Sequence, residues 1–147
     1  MDTSMYPQAR VLDENDIHSI LGRNTVGRLA FCWSGRADIR PLHYVYSSGK
    51  IYGRTSVGAK FAHSNAFAAP VAFEVDEIES VLKWKSVIAY GSFSILTGDG
   101  QDAGEWEAAV RLLRRVIKEA FGAEDPVPER DVVFRVVVQE VTGRASG

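Results

Sequence analysis

The sequence predicts a mainly β fold with flanking helices, in which six antiparallel strands form a closed or nearly closed barrel. Short runs of alternating apolar residues recur along the chain and are separated by Gly, Ser and Pro turns. Several runs are apolar on both faces, which is typical of barrel strands that helices or a second copy of the chain cover from outside. With 147 residues, 46% of them hydrophobic, the chain has the core material of one domain spanning 1–147.

The first part of the chain predicts a helix followed by two strands. A short amphipathic helix is expected to begin after Asp13 as its N-cap and to end at Gly22. Two antiparallel strands over 27–33 and 37–46 follow, joined at a Ser-Gly turn. Pro41 lies in the second of these strands and fits only an edge or a bulge, where a missing N–H is tolerated.

The middle of the chain alternates strands with one helix. A hairpin turn leads into a strand that begins at Ile51, and a helix is predicted over 59–67. A clear strand follows over 71–76. The longest strand spans 84–96, and Gly91 inside it predicts a bulge or a sharp bend.

The last part of the chain predicts a helix and a closing strand. An apolar stripe with basic residues off it predicts a helix over 104–121. A strand over 131–141 follows it. The two ends of the chain, 1–10 and 143–147, are expected to be flexible tails.

Composition excludes several functional classes. The net charge of −2 argues against a general nucleic-acid binder, which would carry a basic field. No apolar run is long enough to cross a bilayer and no signal-peptide core is visible, so we expect a cytoplasmic protein without a membrane partner. His18, His43 and His63 fall on different predicted elements, which predicts no metal site. Cys32 is expected to be a small buried hydrophobe.

One stretch, where a strand ends in a glycine turn, carries the chemistry of phosphate binding. A guanidinium, two hydroxyls, free backbone N–H groups and an ammonium can converge there on one anion. The residues that supply these groups are Arg54, Thr55, Ser56, Gly58 and Lys60. The two cations could instead be solvated charges at a strand end, but their clustering with hydroxyls and glycine favours a phosphate site.

Three motifs follow one another along the chain: Arg54-Thr55-Ser56-x-Gly58-x-Lys60, then Pro-Val-Ala-Phe-Glu-Val-Asp over 70–76, then Trp84-x-Ser86-Val87 with Gly91. Together they resemble the FMN-binding split-barrel family related to pyridoxamine 5′-phosphate oxidase, and more narrowly its nitroimidazole-resistance-like branch. The resemblance runs from about 27 to 96 and the last strand fits it. It implies a six-stranded split barrel that forms a homodimer, with two FMN sites in the grooves between the subunits.

The resemblance also implies which residues contact the cofactor. It assigns the phosphate to the turn from Arg54 to Lys60, in agreement with the side-chain chemistry. It places the segment 41–44 beside the isoalloxazine ring, whose polar edge would meet backbone groups. It places Trp84 and Ser86 at the start of the fifth strand, with the hydroxyl in reach of the phosphate or the ribityl chain. The cofactor-binding candidates are Pro41, Leu42, His43, Tyr44, Arg54, Thr55, Ser56, Gly58, Lys60, Trp84 and Ser86.

Some of these residues have plainer explanations. Trp84 could equally be a core or interface aromatic. His43 is the one candidate proton donor near a flavin, although a lone histidine on a strand is more often structural. Arg144, close to the chain end, could reach a neighbouring flavin or be a charge on a free tail.

The resemblance implies an FMN-dependent oxidoreductase that passes electrons from a reduced nicotinamide to a small organic acceptor. Because the flavin performs the chemistry, few protein side chains need to be catalytic. Two alternatives stay open: a dimeric flavin-binding module without turnover, serving storage or sensing, and an F420-dependent reductase whose cofactor phosphate would use the same turn. The chain lacks the Arg-x-x-x-x-Arg-Leu-x-Pro-like ending of authentic pyridoxamine phosphate oxidases, which argues against that substrate.

Overall fold

The computed structural model describes residues 9–56 and 69–147. Within these residues the chain forms seven strands and two helices. The strands are β1 (Arg10–Val11), β2 (Val26–Trp33), β3 (Arg36–Ser47), β4 (Lys50–Thr55), β5 (Ala69–Ser80), β6 (Lys83–Leu96) and β7 (Val132–Ser146). The helices are α1 (Glu14–Arg23) and α2 (Ala103–Leu113). The helix predicted over 59–67 lies outside the described residues.

Six of the strands close into a ring. The order across the sheet is β1-β7-β4-β3-β2-β5-β6, and β6 also pairs with β7. Every pairing is antiparallel. The predicted six-stranded antiparallel barrel is confirmed, and the extra strand β1 is a two-residue addition to the edge of β7.

The ring has two short seams, which make the barrel split. Pairing between β3 and β4 ends at Tyr44 and Gly53, although both strands continue. Pairing between β2 and β5 covers little more than Arg28 to Ala30. In contrast, β6 stays paired with β7 over 84–96. Within 9–56 and 69–147, the strand segments beside the short seams therefore have backbone groups without a strand partner, which could bind a ligand or a second chain.

The barrel interior is filled by alternate apolar residues of all six strands. Its fully buried members include Leu29, Tyr44, Ile51, Phe73, Val87, Phe93, Phe134 and Val136. Helix α1 covers one end with Ile17, Ile20 and Leu21. The Asp13 carboxylate accepts the Asp16 N–H at 2.8 Å, which confirms the predicted N-cap. The helix ends at Arg23, one residue beyond the predicted stop.

The predicted helix over 104–121 is shorter than expected. Helix α2 ends at Leu113, after packing against the Tyr52 side of β4. Beyond it the chain forms turns, in which the Ala120 N–H donates to the Ile117 carbonyl at 3.0 Å. Phe121 has a φ of 64°, and its ring lies 4.2 Å from the Arg54 guanidinium carbon. A tertiary contact thus overrides the helical propensity of 114–121.

The C-terminal end belongs to the barrel, and the expectation of a flexible tail over 143–147 is wrong. Strand β7 continues to Ser146, paired with β6 on one side and with β1 on the other. Ala145 is fully buried, and the Gly143 carbonyl accepts the Leu12 N–H at 2.9 Å. Partners on both edges fix this segment, and β1 likewise fixes Arg10 within the predicted N-terminal tail.

Gly91 marks a break in the register of β6, as predicted. The pairing between β6 and β7 shifts between Tyr90 and Gly91. A Cβ atom on Gly91 would lie 2.1 Å from the Val137 carbonyl oxygen, so the two backbones approach more closely than any side chain permits. The bulge is therefore confirmed. The longest strand is β7, with 15 residues, and not β6, with 14, as the sequence had predicted.

Candidate functional site

Strands β3, β2, β5 and β6 share an outer face, the surface that points away from the barrel interior. Residues directly opposite one another in an antiparallel pair lie on the same face. Pro41 and His43 of β3 pair with outer residues of β2, and Asp76 of β5 pairs with Ser86 of β6. Trp84 follows in phase with Ser86. Four predicted site residues from two distant parts of the sequence therefore lie on one surface.

The other two residues of the segment 41–44 point into the barrel. Leu42 is 6% exposed and Tyr44 is fully buried. The Tyr44 hydroxyl donates to the Leu21 carbonyl at 2.6 Å, and burial raises the pKa of this phenol above its usual value. Leu42 and Tyr44 can meet a ligand only through their backbone. Since β4 no longer pairs with β3 beyond Tyr44, that edge of residues 41–43 has no strand partner among the described residues.

Arg54 is buried in an ion pair instead of projecting into solvent. Its side chain is 4% exposed and that of Asp125 is 2% exposed, and the guanidinium faces the carboxylate through both terminal nitrogens. Its Nε donates to the Arg130 carbonyl at 2.7 Å and one Nη to the Val127 carbonyl at 3.2 Å. A phosphate contact by Arg54 stays a prediction, and it would require the guanidinium to exchange these partners.

The remaining groups of the predicted phosphate turn follow Arg54 at the end of β4. Thr55 is 4% exposed and pairs with Val132 of β7, whereas Ser56 is half-buried beyond the end of the strand. Gly58 and Lys60 lie outside the described residues. The described part of this turn therefore begins at the β3–β4 seam, where the free edge of 41–43 also lies.

Trp84 and Ser86 line a surface depression of about 330 Å³ on the outer face. Its other lining residues are Asp76, Ile78 and Lys85. Trp84 is half-buried, and Ile78, its cross-strand partner, is 69% exposed. The depression thus combines apolar walls with a hydroxyl and a carboxylate, which is the usual composition of a small-molecule site.

A charged cluster beside this depression was not predicted from the sequence. Arg28 Nη1 lies 3.2 Å from a Glu74 carboxylate oxygen and 3.4 Å from one of Asp76. Ser86 Oγ donates to the other Glu74 oxygen at 3.1 Å. Burial, and next the neighbouring Asp76 carboxyl, raise the pKa of Glu74 above its usual value. The sequence did contain a sign of this cluster. Glu74 and Asp76 are two residues apart in an otherwise apolar strand, and this spacing puts both carboxyls on one face.

Two arginines also border the candidate site. Arg40 is in phase with the core residues of β3, yet its Nε is buried and has no hydrogen-bond partner among the described residues. Arg144 of β7 is exposed and pairs with Ser86, which places it beside Ser86 on the outer side of the barrel. Of the two meanings left open for Arg144, the structure excludes a free tail. Arg40 was not singled out from the sequence, although an arginine at an otherwise apolar position of a strand could have indicated it.

The model of the family described as pyridoxamine 5′-phosphate oxidase matches residues 13–145. The chain belongs to this family. The match covers nearly all of the described residues, including both short seams of the barrel and the whole outer face. The resemblance inferred from the phosphate turn and the Trp84-x-Ser86 motif is therefore confirmed.

Solved structures share the fold of this chain. An FAD-binding protein from Mesorhizobium loti is 26% identical, with 95% of this chain and 99% of that chain covered and a TM-score of 0.75. An FAD binding protein from Mycobacterium smegmatis is 23% identical, with coverages of 94% and 100% and a TM-score of 0.69. A candidate 5-nitroimidazole antibiotic resistance protein from Bacteroides thetaiotaomicron is 17% identical, with coverages of 99% and 93% and a TM-score of 0.68. No curated protein matches the chain at a significant level.

Other residues considered from the sequence have no site around them. The described residues contain no group of His, Cys, Asp and Glu that could hold a metal ion. Cys32 is exposed on the outer face, so the expectation that it is buried is wrong; it is in phase with Arg28 and Ala30 instead of with the core residue Phe31. His43 is exposed, and its role as a proton donor stays a prediction. In the described part of the chain, no helix has the length and apolarity to span a bilayer.

Proposed function

We propose that this chain is a flavin-dependent oxidoreductase, which binds FMN on its outer face and passes electrons from a reduced nicotinamide to a small organic acceptor. The observation that carries the proposal is that Pro41 and His43 share one outer face with Trp84 and Ser86, with strands β2 and β5 between the two pairs. These residues come from strands β3 and β6, which the sequence separates by some forty positions. Family membership and the FAD-binding relative from Mesorhizobium loti support a flavin as the ligand.

The residues present fit the chemical parts of a flavin. An isoalloxazine ring is flat, with apolar faces and a polar edge that carries hydrogen-bond donors and acceptors. The Trp84 and Ile78 side chains offer apolar contact, and the unpaired backbone edge of 41–43 offers N–H and C=O groups. The Arg40 Nε, which has no hydrogen-bond partner in the described part of the chain, is a further donor at the barrel side of the same strand. For a phosphate we infer contacts from Thr55, Ser56 and the residues that follow.

FMN, when bound, supplies the electron-transfer chemistry. The chain itself binds and orients the cofactor and limits the access of water to it. We infer that backbone groups of 41–43 fix the polar edge of the ring and that Trp84 shields part of it. His43, exposed beside Pro41, is the candidate proton donor to the acceptor. Because the flavin transfers the electrons and the chain binds and orients it, the reaction needs no further acid–base pair from the protein.

We further infer that the protein is a homodimer whose subunits meet over the apolar part of the outer face. Ile39 is 60% exposed and Tyr90 is 40% exposed, and both lie on this face. Between them Ala30, Cys32 and Ala72 border a depression of about 370 Å³ with mainly apolar walls. Contiguous exposed apolar surface of this kind is typical of an interface. A second copy placed there would also cover one side of the proposed flavin site.

The proposal is tested by purifying the untagged protein, recording its visible spectrum and titrating it with FMN, FAD and F420. We expect tight FMN binding, a dimer by analytical ultracentrifugation, and weakening of at least tenfold in Lys60→Ala, a variant that removes a phosphate contact. Reduction by NADH or NADPH would then be followed at the flavin absorption band. Tighter binding of FAD or F420 than of FMN would show that the cofactor is not FMN. Reduction of the bound flavin by dithionite but not by NADH or NADPH would favour a flavin-binding module without turnover. Absence of binding to all three would overturn the proposal.

A further inference from the structure

A groove of about 300 Å³ lies between one side of helix α2 and the turns that follow the helix. None of its lining residues belongs to the proposed flavin site. Its apolar part consists of Trp106, Val110 and Phe121, which belong to the core cluster beneath α2 or pack against it. Val110 is buried, whereas Trp106 and Phe121 are half-buried. Two aromatic side chains with part of their surface exposed therefore line the groove.

The backbone of Phe121 is held in an unfavourable conformation. Its φ of 64° lies in the left-handed region, which a bulky side chain adopts only when its surroundings impose it. The Phe121 N–H donates to the Asp125 carboxylate at 2.8 Å, and the Arg54 guanidinium carbon lies 4.2 Å from the centre of the ring. These contacts fix the Phe121 ring at the groove before any ligand binds, which lowers the entropy cost of binding.

The polar part of the groove consists of three exposed charged side chains. Glu107, Arg111 and Arg114 follow one another at spacings of four and three residues, so they lie on one side of the helix. Among the described residues none of the three forms an ion pair. Arg114 Nε donates to the Ala120 carbonyl at 2.9 Å, which orients this guanidinium and leaves its terminal Nη groups to a ligand.

The balance of charge in the groove favours an anion with a single charge. Two guanidiniums and one carboxylate leave one excess positive charge. A second negative charge on a ligand would be repelled by Glu107, and a cation would be repelled by Arg111 and Arg114. The planar N–H groups of a guanidinium match the two oxygens of a carboxylate, so this group is the anion that the pair suits.

We propose that this groove is a second small-molecule site, which binds an aromatic carboxylate: a flat apolar ring system that bears one carboxylate. The ring contacts Trp106 and Phe121, and the carboxylate accepts hydrogen bonds from Arg111 and Arg114. The aromatic side chains select a flat ring, because stacked or edge-on ring contacts add to the burial of apolar area. The arginines select the charged ligand over a neutral one of the same shape. This site goes beyond the proposed function, since it needs no flavin.

The test titrates the full-length protein as purified with 2-naphthoate, followed by isothermal titration calorimetry and by NMR of the indole N–H groups. We expect a dissociation constant below about 1 mM, as for a small ligand of ordinary efficiency. The indole signal of Trp106, assigned with Trp106→Phe, should shift, and those of Trp33 and Trp84 should not. The neutral 2-naphthamide should bind at least about fivefold more weakly. No binding of 2-naphthoate, equal affinity for the amide, or a shift at Trp84 instead of Trp106 would overturn the inference.

Substitutions along the helix separate the site from the general basic charge of this region. Arg111→Met and Arg114→Met should each weaken 2-naphthoate by roughly 3- to 10-fold, and Glu107→Gln should strengthen it by about twofold. Arg114→Met also removes the hydrogen bond to Ala120, so Arg111→Met is the decisive variant. The matched control is Arg115→Met, which removes an exposed arginine that does not line the groove and should leave the affinity within about twofold. A loss in Arg115→Met as large as in Arg111→Met would overturn the inference.

Competition with the cofactor distinguishes this site from the flavin site. Saturating FMN should leave the affinity for 2-naphthoate within about twofold, because the two sites share no residue. Displacement of 2-naphthoate by FMN would place the ligand in the flavin site and would overturn the inference. If the protein binds no flavin, the proposed function fails, and the titrations of wild type and Arg111→Met still decide whether the groove binds a carboxylate.

Discussion

The molecule contains two arginine–carboxylate clusters that differ in burial, one around Arg54 and Asp125 and the other around Arg28 and Glu74. Arg54 and Asp125 are 4% and 2% exposed, whereas the side chains of Arg28 and Glu74 are 41% and 26% exposed. Asp125 also accepts the N–H groups of Phe121 at 2.8 Å and Val127 at 3.0 Å, so its oxygens are fully used. The first cluster closes on itself and anchors a loop; the second is open to whatever binds the outer face.

The pKa shifts of the two carboxyls, Asp125 and Glu74, have opposite directions because their surroundings differ. Hydrogen bonds from Arg54 first, and then from backbone N–H groups, hold the pKa of Asp125 well below its usual value. Burial and the adjacent Asp76 carboxyl raise the pKa of Glu74, because a single arginine serves two carboxyls there. A cluster that favours the charged form of its carboxylate stabilises the fold. A cluster that disfavours it retains a group whose charge a ligand can change.

The largest expected effect comes from breaking the closed cluster. Asp125→Ala leaves the buried Arg54 guanidinium without its counter-ion and frees the loop that Phe121 and Val127 define. A buried charge without a partner is strongly destabilising, so we expect Tm to fall by on the order of 10 °C. Thermal unfolding followed by circular dichroism measures this fall.

The control for this variant is Glu79→Ala, which removes an exposed ion pair with Lys83 at 3.2 Å and should change Tm by less than about 2 °C. Arg54→Met combined with Asp125→Asn should recover part of the loss, because it removes the charge and keeps an acceptor for the backbone. A Tm of Asp125→Ala within about 2 °C of wild type would show that the pair does not hold this loop.

The closed cluster also shows where sequence reasoning stopped. Arg54 was predicted from its neighbours, Thr55 and Ser56, to face a phosphate. Its counter-ion Asp125 lies 71 residues away in a loop, and nothing local in the sequence joins them. The strands themselves were predictable, because alternation, turn residues and Gly91 act over a few positions. Side-chain partners across the barrel depend on register, which one sequence does not reveal.

The outer face was predictable in part for the same reason. Trp84 and Ser86 were found by their local motif, and the structure places them on the same outer face as Pro41 and His43, with β2 and β5 in between. The partner of Ser86, Glu74, lies on the neighbouring strand and was taken only as part of a strand motif. The end of the chain was mistaken for a tail because residues 143–147 have little apolar character; their order comes from pairing on both edges.

An intermediate effect is expected at a third pair, which links α1 to β5. Arg23 donates to both oxygens of Glu77, at 2.6 and 2.8 Å, and lowers the pKa of Glu77 to about 2. Because the folded state favours the charged carboxylate, this contribution to stability is present above pH 4.5 and is lost as the pH falls towards 2. Glu77→Gln should therefore cost about 1 kcal/mol at pH 7, after allowance for the exposure of the pair.

Urea unfolding of wild type and Glu77→Gln at several pH values isolates this contribution, since other carboxyls titrate in both proteins. The difference in the free energy of unfolding should shrink steadily between pH 4.5 and 2. A difference that stays constant over this range would assign the effect to packing instead of charge. Asn24, which donates to Glu77 at 2.7 Å, is unchanged in both proteins.

The smallest effect on stability is expected from the open cluster, where Arg28→Met removes the one cation shared by Glu74 and Asp76. Arg28 is 41% exposed, so the loss at pH 7 should be no more than about 0.5 kcal/mol. The pKa of Glu74 should nevertheless rise further above its usual value, because the attraction that opposes the Asp76 carboxyl is gone. Carboxyl-carbon NMR titration measures this rise directly. Since the pKa of Glu74 in the folded state lies above 4.5 in wild type and higher still in the variant, the stability difference should be lost as the pH falls through these raised values and should be gone by pH 4.5. If Arg28→Met lost as much stability as Asp125→Ala and left the pKa of Glu74 unchanged, the Arg28 cluster would stabilise the fold just as the Arg54 cluster does. The proposed difference between the two clusters would then be wrong.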